Sequence, residues 1–156
     1  MDNEPTSTLH VGRTTVAALA SLLVARAVRL PEPYWATVTT LIVMQSSLVA
    51  SWAVSWRRLV GTVLGALVGG AVGSFFPPGA LVFAAAILAT GMLCHLLRFD
   101  RVEFRFAGVT LAIIMLIPRQ NLAWVVAAHR FIEVSIGVII ALLLTALWPE
   151  PQASTR

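Results

Sequence analysis

Arg58, Arg130, Glu133 and Gln45 stand out in a chain otherwise rich in alanine, valine and leucine. Arg58 and Arg130 each open a long apolar run, and paired guanidinium groups at two helix starts would attract an anion. Glu133 follows Arg130 by three positions, which on a helix puts both on one face where an ion pair can form. A charge inside a membrane span costs on the order of 2.5–3.5 kcal/mol, so such a group faces protein or a watery cavity. Glu133 is therefore the carboxylate best placed to exchange a proton within a span. The alternative is that Arg130 and Glu133 sit at headgroup level and only anchor their helix.

Uncharged polar groups cluster just upstream, in Thr37, Thr39, Thr40, Gln45, Ser46 and Ser47. The threonines are expected to bond the carbonyl four residues back in their own helix. Gln45 has no such local partner in prospect, and is a candidate to line a solute path. Trp35, Trp52, Trp56, Trp124 and Trp148, with Tyr34, all fall at the ends of apolar runs, as an interfacial aromatic belt does. Gly61, Gly65, Gly69 and Gly73 recur every four residues, leaving one helix face bare for another backbone. That backbone is either internal or a second copy of the chain.

The elements that carry these residues are membrane helices. Of the 156 residues 58% are hydrophobic and 12% charged, and the mean hydropathy is +0.87, whereas soluble domains are ~45–50% apolar and ~25% charged. At ~20 residues per span the chain holds at most about six or seven. MDNEPTSTLH lacks a basic, cleavable leader pattern and reads as part of a free tail, residues 1–12. A pI near 11.0 suggests nucleic acid in a soluble protein, but all eleven basic residues are Arg, placed one to three at a time at the ends of apolar runs. They read as topology signals, and no nucleic-acid partner is expected. The single Cys94 excludes an internal disulfide. The three histidines have no carboxylate or cysteine at ligand spacing, and no nucleophile or phosphate-loop motif occurs. No metal, cofactor or enzymatic activity is expected.

The chain also matches itself. Shifted by 72 positions, Arg26 pairs with Arg98, Arg29 with Arg101, Trp52 with Trp124, Arg58 with Arg130, Gly65 with Gly137 and Pro77 with Pro149; Ile42 with Ile114 is a weaker match. Repeat halves of about 9–77 and 81–149 follow, inside one membrane domain of 13–149 with a tail of 150–156. Each half reads as a whole helix (Thr14–Val28; Ala80–Leu97), a short helix from Trp35 to Met44 or Phe106 to Ile117, an interfacial connector, and a long helix opened by Arg58 or Arg130. The 12-residue fifth helix reaches ~18 Å against a ~30 Å hydrocarbon core, so it either crosses with help or re-enters. Three crossings per half make the repeat inverted. With both termini cytoplasmic, seven arginines lie inside and four outside, the favoured sense. Short helices at matching places in two halves point to a solute site near mid-membrane.

PEPYWA (Pro31–Ala36), LIVMQ (Leu41–Gln45), RRLVGTVLGALVG (Arg57–Gly69) and RFIEVSIG (Arg130–Gly137) resemble the fusaric acid resistance family of aromatic acid exporters. The resemblance runs from about Val11 to Pro149. It implies an all-α, six-span protein of the bacterial inner membrane that exports small aromatic carboxylic acids, driven by the proton gradient. It also implies Arg58 and Arg130 as carboxylate contacts, Gly61, Thr62 and Gly65 as shaping the pore-side helix, and Tyr34, Trp35 and Gln45 as lining the path. Longer family members look like two such units with an added domain. One unit alone therefore implies a homodimer or a separately encoded partner. A non-transporting scaffold subunit and a passive anion channel are the competing readings.

Overall fold

The computed structural model describes residues 8–117 and 121–149, and these form six helices. They are α1 (Thr8–Ala27), α2 (Tyr34–Val43), α3 (Leu48–Phe75), α4 (Ala80–Leu96), α5 (Arg101–Leu116) and α6 (Ala123–Leu147). Three of them, α1, α3 and α6, are long and apolar enough to cross a membrane. Helices α2 and α4 are apolar but shorter. This is a membrane protein of all-helical architecture among the described residues.

Several boundaries differ from those read in the sequence. The stretch expected to be a separate interfacial connector, Leu48–Trp56, is continuous with the third span as α3, 28 residues long. Arg58 and Arg130 consequently lie well inside α3 and α6 rather than at their first turns. An apolar-run reading stops at a charge, but a charge on the buried face of a helix does not interrupt its backbone hydrogen bonds. Helix α5 starts at Arg101 instead of Phe106, which takes the charged segment into its first turns. Helix α1 starts at Thr8, so the last part of the expected N-terminal tail is helical. Residues 1–7, Pro118 to Gln120 and the tail 150–156 lie outside the described residues.

The chain divides into two compact units. The first holds residues up to Ser55 together with those from Ser135 onward, and the second runs from Trp56 to Val134. Within the first, α1 packs on α2. Helix α1 buries Arg13, Ala17, Ser21 and Ala25, a one-in-four stripe of mostly small residues. Within the second, α4 packs on α5, and the core joins Leu64, Cys94 and Ala107 in one cluster and Ala86, Leu111 and Met115 in another. A third cluster sets Ala66 and Ile114 against Ala123 and Ala127.

The glycine face of α3 has an internal partner. A Cβ on Gly61 would stand 2.5 Å from Phe106 Cβ, and one on Gly69 would meet Ile114 at 3.3 Å. A Cβ on Gly65 would fall onto the Ala107 carbonyl oxygen. In the other unit, a Cβ on Gly137 would fall onto the Ala36 carbonyl oxygen and lie 2.8 Å from Thr39 Cβ. The same close approach thus recurs, with Ala36 and Thr39 taking the parts of Ala107 and Thr110. Those pairs are 71 apart, not 72, and in that register ATVTTLIVM (Ala36–Met44) aligns with AGVTLAIIM (Ala107–Met115). The match of Ile42 is then Ile113. Gly73 is half-buried near the end of α3.

Two turns also repeat. After α1, the Leu30 N–H donates to Ala25 O at 3.1 Å and the Arg29 N–H to Arg26 O at 2.9 Å. After α4, Phe99 donates to Cys94 O at 2.9 Å and Arg98 to His95 O at 3.1 Å. Each is a Schellman cap, and its left-handed residue is an arginine, Arg29 at φ 59° and Arg98 at φ 58°. These caps satisfy the carbonyls of helices that must end abruptly before α2 and α5.

Candidate anion site

On α3, Ser51, Ser55, Arg58 and Thr62 follow the helical repeat and are all buried. Ser55 and Thr62 donate to the carbonyls four residues back, Ser51 O at 2.7 Å and Arg58 O at 2.8 Å. Their protons are thus used within the helix. Arg58 is 3% exposed, yet its guanidinium makes no hydrogen bond or ion pair among the described residues. It lies over the Phe106 ring, with the guanidinium carbon 4.8 Å from the centroid. Its neighbour Arg57 is served differently, reaching Asp100 at 3.2 Å and Glu103 at 3.7 Å. Adjacent positions of one helix therefore hold a compensated arginine and an open one.

Arg130 Nη1 lies 3.1 Å from Glu133 Oε2 on α6, both side chains buried. This is the i,i+3 pair anticipated from spacing. The two arginines are thus treated unlike each other, Arg130 facing a carboxylate and Arg58 an aromatic ring. Glu103 is a further buried carboxylate, 8% exposed, in the first turn of α5. A helix start placed at Phe106 leaves it out of the candidate residues. An acidic residue three before Phe106 in a run of charges is the signal that would include it.

In the other unit, the Gln45 amide donates to Ile42 O at 3.3 Å, so Gln45 has a local partner after all. Of the threonines, Thr40 bonds Ala36 O at 3.0 Å as expected and also Gly137 O at 3.1 Å. Thr37 instead reaches across to Ala18 O at 3.4 Å. Thr39 is fully buried, and its hydroxyl has no partner among the described residues. Tyr34 is exposed and its ring meets Trp35 at 5.6 Å, while Trp35 donates to Glu32 at 2.9 Å. Both sit at the turn into α2.

Arg13 reads in the sequence only as a topology signal, and its structural role is larger. Fully buried, it donates to Gln45 O at 2.7 Å and Trp148 O at 2.9 Å, the chain segments just past α2 and α6. A cation at two helix C-termini is favourable for both macrodipoles. Its place on the small-residue stripe with Ala17, Ser21 and Ala25 is the available clue. Arg13→Gln should lower unfolding stability by about 3 kcal/mol, from two charge-assisted bonds at ~1.5–3 kcal/mol each less what the amide keeps. Arg13→Lys should recover part of it. Thermal unfolding in detergent micelles checks both, and a loss below about 1 kcal/mol would mean that water serves the carbonyls as well.

Residues 17–144 match the family model described as fusaric acid resistance protein-like. The chain belongs to this family. Relatives of the fusaric acid resistance-like chain include the inner membrane protein YeeA of Escherichia coli K12, 29% identical over 91% of this chain and 41% of that protein. A protein of Neisseria gonorrhoeae, ORF2, is 26% identical over 90% of this chain and 34% of its own length. The uncharacterized transporter YdhK of E. coli K12 is 26% identical over 92% of this chain and 23% of its own. The chain therefore spans less than half the length of these relatives. No solved structure matches it. Family and relatives together make this a membrane protein of a transporter family.

Proposed function

We propose that this chain is a transport unit for small organic anions, aromatic carboxylates foremost, moving them out across a bacterial inner membrane. The observation that carries the reading is Arg58, a buried guanidinium that lies over the Phe106 ring and whose Nε has no hydrogen-bond partner among the described residues. A permanent positive charge in an apolar interior is costly unless something negative visits it. A carboxylate is the anion whose geometry matches the fork. Thr62, a turn further along α3, keeps its acceptor lone pairs on the same face. Glu133 is the group proposed to exchange the proton, with Arg130 as its counter-ion. The repeat, taken as two inverted sets of three helices with both termini cytoplasmic, would place the short helices α2 and α5 at mid-depth.

The length of the relatives favours a second element in the reading. The working assembly is proposed to hold a second such unit, for which the relatives, covered to 41% or less, have room. A second copy, or a separately encoded partner, would supply the remainder.

The test is uptake of labelled p-hydroxybenzoate into everted vesicles, whose lumen corresponds to the cell exterior, comparing wild type with Arg58→Ala and Glu133→Gln. Arg58→Ala should reduce flux at least about 100-fold, the order expected when a charged contact worth ~3 kcal/mol is lost. Glu133→Gln should abolish the dependence on a pH gradient. Flux that survives in Glu133→Gln and ignores the gradient in both would mark a passive channel. Folded protein with no flux for any aromatic acid would leave the partner-subunit reading.

A further inference from the structure

Arg58 and Phe106 come together through a third residue, Gly61. A side chain at Gly61 would stand 2.5 Å from Phe106 Cβ and 2.7 Å from the Glu103 carbonyl oxygen. Without one, α5 approaches α3 closely enough for the Phe106 ring to lie beneath the guanidinium three residues upstream of the glycine. At the corresponding place in the second half the residue three after the arginine is Glu133, and there the arginine takes a carboxylate. The glycine thus substitutes a ring for a counter-ion. The difference matters chemically, because a ring attracts the cation through its quadrupole without accepting an N–H in the way a carboxylate does. Arg58 is kept charged and buried while its donor edge stays open.

We propose that Phe106 is a specificity-determining positioning residue, whose ring holds the Arg58 guanidinium with its donor fork free so that the site takes a planar carboxylate in preference to a spherical inorganic anion. This rests on the reading of Arg58 as an anion site. A carboxylate gains from both charge and the bidentate fork, whereas chloride gains from charge alone. Loosening the guanidinium therefore weakens the first more than the second. Leucine at position 106 keeps apolar bulk and loses the quadrupole; tryptophan keeps the quadrupole.

Calorimetric titration of the full chain in detergent micelles, with benzoate and separately with chloride, reads the ratio of the two affinities. Phe106→Leu should weaken benzoate about tenfold while chloride stays within about twofold, and Phe106→Trp should restore the ratio. An unchanged ratio in Phe106→Leu overturns the proposal. If Phe106→Leu does not remain monodisperse, Phe106→Met decides, since it too keeps apolar bulk and removes the ring. A ratio falling toward that of charge alone supports the proposal, and a wild-type ratio overturns it. Arg58→Ala separates the two readings. Benzoate binding lost there but intact in Phe106→Leu sinks only the role of Phe106, whereas binding that survives Arg58→Ala, or is absent from wild type, sinks the anion site itself.

Discussion

Gly65→Ala should destabilise the protein by about 2–3 kcal/mol, and Gly65→Val by more, even though alanine is the better helix former. Two effects of opposite sign compete at this position. Alanine gains ~0.5–1 kcal/mol over glycine inside a helix. Against that, the new Cβ would fall onto the Ala107 carbonyl oxygen and lie 2.9 Å from Thr110 Cβ. The obstructing atoms are backbone and the root of a β-branched residue, so neither can swing away, and overpacking of this kind costs ~1–3 kcal/mol or more. Gly137→Ala should behave alike, because it meets the Ala36 carbonyl and Thr39 in the same manner. Gly12 supplies the control. It lies in α1 with nothing within 4 Å of where a methyl would stand, so Gly12→Ala should be neutral or stabilising by up to about 1 kcal/mol. Unfolding of the three alanine variants in detergent, followed by circular dichroism, gives the comparison. Equal responses at Gly12 and Gly65 would show that the close approach of α3 to α5 is not needed.

The glycine spacing shows what a sequence can and cannot reveal. A glycine every four residues specifies a bare face, and that face is present. It does not name the partner, because bare faces serve internal and intermolecular packing equally. Only the contacts with Phe106, Ala107 and Ile114 assign it to α5 for Gly61, Gly65 and Gly69. The repeat is legible through its rare residues, yet its register in α2 and α5 is not. A single offset forced through arginines and tryptophans absorbs a one-residue shift between Ala36 and Ala107 that contacts expose at once. Charges mislead the placement of helix ends for a related reason. Arg57 and Arg58 look like a boundary in a hydropathy profile, but inside α3 one pairs with Asp100 and Glu103 while the other lies over a ring.

The candidate site is legible in its charged members and not in what governs them. Arg58, Arg130 and Glu133 announce themselves by being charged in apolar segments. That the Arg58 guanidinium lies over a ring depends on Phe106, an ordinary apolar residue 48 positions away in sequence. Gln45 looks in need of a distant partner on sequence grounds, but the helix end at Met44 turns its side chain back on Ile42. Arg13 is hidden for the opposite reason. It stands ahead of an apolar run, where an arginine is the usual topology signal, and its bonds to Gln45 and Trp148 span 32 and 135 residues.

Arg130→Met should cost about 3–5 kcal/mol, while Arg130→Met combined with Glu133→Leu should lie within about 1 kcal/mol of wild type or above it. The asymmetry follows from desolvation. Glu133 is fully buried, and Arg130 at 3.1 Å is its one ion-pair partner among the described residues. Removing the arginine leaves a carboxylate with nothing to offset the loss of water. Removing both leaves an apolar contact in an apolar place, and such replacements of buried pairs are often neutral or stabilising. A double-mutant cycle measured by thermal unfolding gives the coupling directly, and a coupling below about 0.5 kcal/mol would mean that water reaches the pair. The double variant then separates stability from transport. A folded double variant that still moves p-hydroxybenzoate with the pH dependence of wild type would reduce the pair to a structural element. One that folds and moves the anion without regard to the gradient would place proton exchange at Glu133, because the fold has been preserved and the titrating group has gone.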